Sequence, residues 1–364
     1  MRVTLVIASL GPGGAERVLA TIANHWVEVG WTVVLLTFQA AGQTIYNPLD
    51  RRIHVVSLDL LADSRSARAA VSNNLRRVLR LRRAIRESRP DVVLSFVDQA
   101  NVVTLLATRG LGTPVVVSER THPGHHPIGR VWTRLRRAIY PAATAVVTQT
   151  PAALEYFTGW SLRHATVLPN PVHPTGSSGS PDSRQVTAVG RLGPEKGFDV
   201  LLRAFARLAP ECPDWSLVIW GEGPKRAELE ALRDDLGLGG RVRLPGVTAT
   251  PGDWRAETGL FVLSSRYEGF PNALAEAMAA GLPVVAADCR AGPREMVDDG
   301  RTGLLVPPDD PIALAEAMRR LMVDASLRTR LGTDARRSMG RFEATAVLSA
   351  WTDLMSRAAE GRLS

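Results

Sequence analysis

Two glutamates eight positions apart, Glu268 and Glu276, stand in the stretch Ser264-Ser265-Arg266-Tyr267-Glu268-Gly269-Phe270-Pro271-Asn272-Ala273-Leu274-Ala275-Glu276-Ala277-Met278-Ala279-Ala280-Gly281. Glu276 is the only polar residue between Ala273 and Ala280, on a predicted helix with no hydrophilic face of its own. Burying an unpaired carboxylate is costly, so Glu276 is expected to have a ligand or a fixed partner. A carboxylate accepts hydrogen bonds from vicinal hydroxyls, as in ribose. The amides of Phe270–Asn272 face whatever lies above the helix start. A second group is Gly190-Arg191-Leu192-Gly193-Pro194-Glu195-Lys196-Gly197, which precedes a helix opening at Phe198. Arg191 and Lys196 bracket a glycine-rich turn. A planar fork, a point charge and helix amides together make a cradle for a diphosphate. Lys196 is one of only two lysines, so composition does not explain it.

Gly11-Pro12-Gly13-Gly14-Ala15-Glu16 joins the first predicted strand to the first helix. A nicotinamide-dinucleotide site fails there. Glu16 occupies the place of the third glycine, and the second strand ends Thr37-Phe38-Gln39 without an acid for a ribose. A plain tight turn and an anion or acceptor loop both remain open. No Asp-x-Asp occurs in the chain, so a metal–diphosphate clamp is not indicated. Cationic side chains and a helix N-terminus would then have to stabilise a departing nucleoside diphosphate. His122, His125 and His126 lack a neighbouring carboxylate cluster in sequence, so no metal site is assigned to them.

The elements that must position these residues alternate. Arg2–Ser9, Thr32–Phe38, Val92–Phe96, Val115–Ser118 and Ala145–Thr148 read as strands. Ala15–Val29, Arg65–Glu87, Asn101–Thr108 and Arg130–Tyr140 read as the helices between them. A second series of strands follows at Val186–Val189, Ser216–Trp220, Arg241–Leu244, Leu260–Ser264, Val284–Ala287 and Gly303–Val306. The strands are nearly continuous apolar runs, as in parallel sheets covered on both faces. The fold class is therefore α/β, with two Rossmann-like doubly wound domains and a cleft between them. The Pro/Gly/Ser-rich stretch after Leu168 marks the linker. The expected domains are 1–168, a linker at 169–184, 185–340, and a C-terminal helix in 341–364 that packs back on the first domain.

The chain has 364 residues, 45% hydrophobic and 22% charged, which suits two domains and excludes disorder as the dominant state. Two cysteines exclude a disulfide scaffold and point to a reducing compartment. No apolar run approaches a membrane span. The opening Met1-Arg2 and Val3–Leu10 is not read as a signal peptide, because a glycine turn and a helical pattern follow without a cleavage site. The net charge of +8 is unevenly placed: residues 64–89 hold nine arginines against Glu87 alone. Written as a helix, Val71, Leu75, Val78 and Ile85 fall near one face, with Arg76, Arg80 and Arg83 along another. Arg130, Arg134, Arg136 and Arg137, beside Trp132, offer a second basic patch. Such faces suit an anionic membrane surface or a diphosphate on a lipid carrier. No nucleic-acid motif accompanies the charge, so nucleic acid is not expected as a partner.

Together these motifs resemble the family 4 retaining glycosyltransferases of GT-B fold. The resemblance spans nearly the whole chain: Gly13-Gly14-Ala15-Glu16, Gly190-Arg191-Leu192…Lys196-Gly197, Gly221-Glu222-Gly223-Pro224, Glu268…Glu276, and Asp299-Gly300…Gly303-Leu304-Leu305-Val306. It implies that Arg191 and Lys196 hold a donor diphosphate and Glu276 the ribose hydroxyls. It also implies that Glu268 with Gly269, Phe270, Pro271 and Asn272 faces the donor sugar, and that Leu244-Pro245-Gly246 lines the base pocket. Gly14, Glu222 and Leu274 complete the donor set. Ser118-Glu119-Arg120-Thr121-His122-Pro123 and Cys289-Arg290-Ala291-Gly292-Pro293-Arg294-Glu295 resemble the branch that extends polyprenyl-diphosphate-linked saccharides with N-acetylhexosamines. In the wider family a histidine of the first domain contacts the donor sugar, which makes His122 a catalytic candidate with Glu268, Arg191 and Lys196. In the resembling N-acetylgalactosaminyltransferases a basic helix engages the acceptor's pyrophosphate. Arg76, Arg80, Arg83, Arg120 and Gly13 are the acceptor candidates. The expectation is a metal-independent, cofactor-free enzyme, cytoplasmic and peripheral on the inner face of the plasma membrane. It would take a nucleotide-sugar donor (UDP-linked) and a lipid-linked saccharide acceptor. The rivals are a non-catalytic anion or membrane binder and a sugar-nucleotide epimerase on the same fold.

Overall fold

A computed structural model describes residues 1–61, 67–124, 126–172, 182–248, 250, 252–289 and 291–363. Of the predicted linker 169–184, residues 173–181 lie outside the described residues, as do 62–66 of the arginine block, His125 and Arg290. The chain divides into two compact units, Met1–Pro171 with Thr345–Ser364, and Val172–Ala344.

The first unit runs β1 (Arg2–Ile7), α1 (Gly14–Glu28), β2 (Thr32–Thr37), β3 (His54–Ser57), α2 (Ala67–Ser88), β4 (Val92–Phe96), α3 (Asp98–Thr108), β5 (Val115–Ser118), α4 (Arg130–Ile139), β6 (Ala145–Thr148), α5 (Pro151–Glu155) and β7 (Ala165–Val167). Its seven strands pair in the order β3-β2-β1-β4-β5-β6-β7, all in parallel. The interior strands are Val- and Leu-rich and buried along their length, because helices cover both faces. β3 and β7 are edge strands, half-buried, and carry too short an apolar pattern to stand out in the sequence.

The second unit runs β8 (Gln185–Val189), α6 (Phe198–Leu208), β9 (Ser216–Trp220), α7 (Arg226–Asp235), β10 (Val242–Gly246), β11 (Leu260–Leu263), α8 (Asn272–Ala279), β12 (Val284–Ala287), α9 (Pro293–Met296), β13 (Leu304–Val306), α10 (Pro311–Val323) and α11 (Ala325–Ser338). The order is β10-β9-β8-β11-β12-β13, again parallel. One side chain set, including Leu201, Phe205, Leu217, Met318 and Leu321, fills one face of this sheet. A second set, including Phe261, Leu274, Met278 and Val284, fills the other. The winding reverses between the paired strands β8 and β11. Loops leaving the carboxyl ends of two such strands diverge and open a crevice, which is where α/β sheets bind ligands. α12 (Ala344–Ala359) returns to the first unit: Trp26 Nε1 donates to Thr352 Oγ1 at 3.0 Å, and the Phe96 and Trp351 rings lie 6.0 Å apart.

α2 corrects the helical reading of the arginine block. Leu81 and Ile85 are buried with Val78 and Ala84 packed beside them, whereas Val71 and Leu75 face outward. With Leu79 they form an exposed apolar stripe at four-residue spacing, 71%, 58% and 57% exposed for Val71, Leu75 and Leu79.

Candidate active site

The turn after β8 and the loop after β11 meet at the switch point of the second unit. Lys196 Nζ donates to Glu268 Oε1 at 2.6 Å, and Ser265 Oγ donates to the same oxygen at 2.6 Å. The Glu268 side chain is 8% exposed and that of Lys196 20%, so the pair is largely desolvated but reachable. Burial pushes the neighbouring Cys289 thiol up to about 12, which leaves it a protonated wall of the site. Arg191 is 67% exposed; its Nε donates to Glu195 Oε1 at 3.0 Å and its Nη2 lies 2.9 Å from the same oxygen in an ion pair. Gly221 has φ +145°, and a Cβ there would collide with Gly190 O, so the loop after β9 can close on this turn only as glycine.

One helical turn into α8, Glu276 is 12% exposed, and Arg255 Nη1 donates to its Oε2 at 3.3 Å. One fixed partner of this carboxylate is thus an arginine from the segment after β10. Glu222 accepts from Arg226 Nη2 at 2.6 Å and Nε at 2.8 Å, and those hydrogen bonds hold its carboxyl below the usual range. Its Oε1 also lies 3.0 Å from where a Cβ on Gly246 would stand, so the loop after β9 and the end of β10 are adjacent. Gly269, Phe270 and Pro271 are buried, and the Phe270 ring packs edge-on against Phe342 at 5.5 Å. Leu274 is fully buried in the core beneath α8, where its side chain supports the helix from below.

In the first unit the loop after β5 is buried and polar. Glu119 accepts from Tyr140 Oη and lies 3.6 Å from Arg136 Nη1. Burial pushes its carboxyl up to about 7, against the pull of Arg136 and Tyr140. Arg136, counted from sequence in an exposed basic patch, is buried, and its Nη2 donates to Tyr156 Oη at 3.0 Å. Arg120 is likewise buried. It donates to Asn170 Oδ1 and Ser118 Oγ, lies 4.4 Å from the Phe96 ring centroid, and burial lowers its pKa to about 9. His122 Nδ1 accepts from Gly124 N at 3.2 Å while Nε2 lies 3.2 Å from Ala152 O, which fits the Nε2–H tautomer. His126 Nδ1 stands 3.0 Å from Asp98 Oδ2. Gly13 caps α1, and the Glu16 side chain folds over it to Ser9 Oγ at 3.1 Å. Burial raises the Glu16 carboxyl above its ordinary value.

Two family models match the chain. One described as a glycosyl transferase 4-like domain matches residues 13–171, and one described as glycosyl transferases group 1 matches residues 183–324. This chain belongs to the glycosyltransferases. It is 28% identical, over 98% of each chain, to the Campylobacter jejuni GalNAc-alpha-(1->4)-GalNAc-alpha-(1->3)-diNAcBac-PP-undecaprenol alpha-1,4-N-acetyl-D-galactosaminyltransferase. Among solved structures it resembles sucrose-phosphate synthase from Thermosynechococcus elongatus, with a TM-score of 0.84 and 20% identity over 98% of both chains. It also resembles Anabaena HepE in complex with UDP and glucose, with a TM-score of 0.81 and 21% identity, covering 97% of this chain and 99% of that one. The fold is GT-B.

In this glycosyltransferase the structure joins Lys196 to Glu268 and places Glu276 on the helix that follows. Gly13, Gly14, His122, Arg76, Arg80 and Arg83 belong to the other unit. Arg83 pairs with Glu87 at 2.8 Å and Arg80 reaches Leu58 O at 3.3 Å. Arg255 escapes a sequence reading, since it stands 21 positions from Glu276, whereas Ser265, three residues before Glu268, has a local Ser-x-x-Glu spacing that could have pointed to its contact. No helix among the described residues is long and apolar enough to cross a membrane.

Proposed function

We propose that this glycosyltransferase moves an N-acetylhexosamine from a UDP-linked donor to a polyprenyl-diphosphate-linked saccharide, with retention of anomeric configuration and without a metal. The observation that carries the reading is the meeting of Lys196 and Glu268 at the switch point, with Glu276 one helical turn into α8, the helix that follows. A diphosphate entering the turn after β8 meets the Lys196 ammonium, the nearby Arg191 guanidinium and the first amides of α6. Glu276 accepts the ribose hydroxyls, in competition with Arg255. Charge builds on the leaving diphosphate as the glycosidic bond breaks, and the two cations stabilise it there. The acceptor hydroxyl then attacks from the face the diphosphate leaves, and the diphosphate takes its proton. Glu268 orients Lys196 and lies on the sugar side of the pair.

The acceptor class is supported by the Campylobacter relative, which acts on an undecaprenol-diphosphate-linked saccharide, and the nucleotide by the UDP in HepE. The surface chemistry of the first unit supports it independently. α3 packs against both α2 and α4. α2 exposes Val71, Leu75 and Leu79 beside Arg76, Arg80 and Arg83; α4 exposes Val131 and Leu135 beside Arg130, Arg134 and Arg137. Apolar residues flanked by arginines suit the interface of an anionic membrane, at the inner face of the plasma membrane where such carriers are extended. The deciding experiment is a transfer assay with UDP-N-acetylgalactosamine, with and without a polyprenyl-diphosphate-linked saccharide, with the product anomer read by NMR. A thermal-shift screen across UDP- and GDP-sugars runs beside it. Acceptor-independent turnover only, an inverted product, or thermal stabilisation by GDP-sugars alone would overturn the respective part.

A further inference from the structure

Arg266 lies two residues before Glu268, in the loop that leaves β11. Its Nε donates to Asp309 Oδ1 at 2.6 Å and its Nη1 to Pro194 O at 2.6 Å. Nη1 and Nη2 also take Asp199 in a fork, at 3.0 and 2.9 Å to Oδ1 and Oδ2. Four of the five guanidinium N–H groups are thereby engaged, which leaves little capacity for a ligand. The Arg266 backbone N–H donates to Glu195 O at 2.8 Å. One residue therefore grips three segments: the turn that carries Lys196, the first turn of α6 through Asp199, and the loop before α10 through Asp309.

Other contacts run along the same seam. Ser264 Oγ donates to Lys196 O at 2.9 Å. Gly197, at φ +60°, lies so close to Ser264 O that a Cβ would collide with it. Burial would raise the Asp199 carboxyl, but the hydrogen bonds from Arg266 outweigh it and hold Asp199 below its ordinary value. The fork stays ionic at neutral pH.

We propose that Arg266 is a positioning residue for sugar transfer: it locks the Lys196 turn against the Glu268 loop, so that the ammonium meets the donor diphosphate already aligned. This rests on the reading that Lys196 stabilises that diphosphate. Arg266 acts through Lys196 and touches no reacting atom. Only a planar fork reaches a carboxylate bidentately and a carbonyl at once, so lysine is a partial substitute at best.

A 1 Å misplacement of a catalytic group costs on the order of a hundredfold in rate, and the loss cannot exceed that of removing Lys196 itself. We expect R266Q to lower kcat by roughly tenfold to a hundredfold with UDP-N-acetylgalactosamine while KM changes little. D199N should do the same, and the double variant should be no worse than either, because both act through one clamp. R266K should recover part of the loss. Hydrogen exchange supplies a readout that needs no donor: amides of 193–197 should exchange faster in R266Q, with β9 unchanged. Wild-type exchange of that turn would overturn the proposal. So would wild-type kcat in R266Q when K196A is crippled, or a uniform rise in exchange across the unit. Wild-type turnover by K196A would instead overturn the role of Lys196, and the role of Arg266 with it.

Discussion

Glu276→Gln isolates the carboxylate's charge from its shape. In the resting enzyme Glu276 accepts from Arg255 Nη1 at 3.3 Å, longer than the roughly 2.7–2.9 Å of a strong charge-assisted bond. A glutamine keeps the shape of the side chain and can still accept from Arg255, so folding should change less than binding. A midpoint shift within about 4 °C, roughly 1 kcal/mol for a unit of this size, is the expected ceiling. Binding should change more. Hydrogen bonds from hydroxyls to a charged group contribute about 1.5–3 kcal/mol, so UDP should bind roughly tenfold to 150-fold more weakly. Calorimetric titration of UDP and of 2′,3′-dideoxy-UDP into both proteins completes a cycle. If the ribose hydroxyls are the partners of Glu276, removing them from the ligand and the charge from the protein must cost no more than either change alone. Undiminished UDP affinity in the variant, or fully additive losses, would refute the assignment. Glu276→Ala is the poorer probe: Arg255 already has a buried Nε without a partner, and truncation would strand more of it.

Arg191→Ala and Lys196→Ala should each slow transfer by about a hundredfold or more, the scale for one preorganised charge stabiliser; steady-state kinetics at saturating donor check this. Transfer should survive excess EDTA, and abolition reversed by manganese or magnesium would count against a metal-free mechanism. R76Q/R80Q/R83Q should lose binding to anionic vesicles in co-sedimentation, more so with L75S/L79S added, while UDP affinity stays at the wild-type level. Glu119, ordinarily 4.5 and raised to about 7 by burial, binds its proton more tightly folded than unfolded. Its contribution is therefore complete below about pH 4.5 and is lost as pH rises through about 7. Thermal unfolding from pH 4.5 to 7.5 should show that decline in wild type relative to Glu119→Gln; parallel profiles would sink it.

The sequence by itself determined the strands that lie inside the sheets. Val92–Phe96, Val115–Ser118, Ser216–Trp220 and Val284–Ala287 are legible to the residue, because a strand covered on both faces must be apolar throughout. The same physics made Glu276 conspicuous: a carboxylate among alanines on a buried helix announces a partner. Tertiary structure alone decided which partner. Arg255 is 21 positions away from Glu276, Lys196 is 72 from Glu268, and Arg266 is 67 from Asp199, separations that no local period encodes. It also decided the fate of the arginines. Arg120 and Arg136 look like their exposed neighbours in the sequence, yet β5 and α4 turn them inward onto Asn170 and Glu119. The faces of α2 were ambiguous for a related reason. Its sequence carries two apolar stripes, and only packing against α3 and the sheet chose Leu81 and Ile85 for the core and left Val71, Leu75 and Leu79 to the surface.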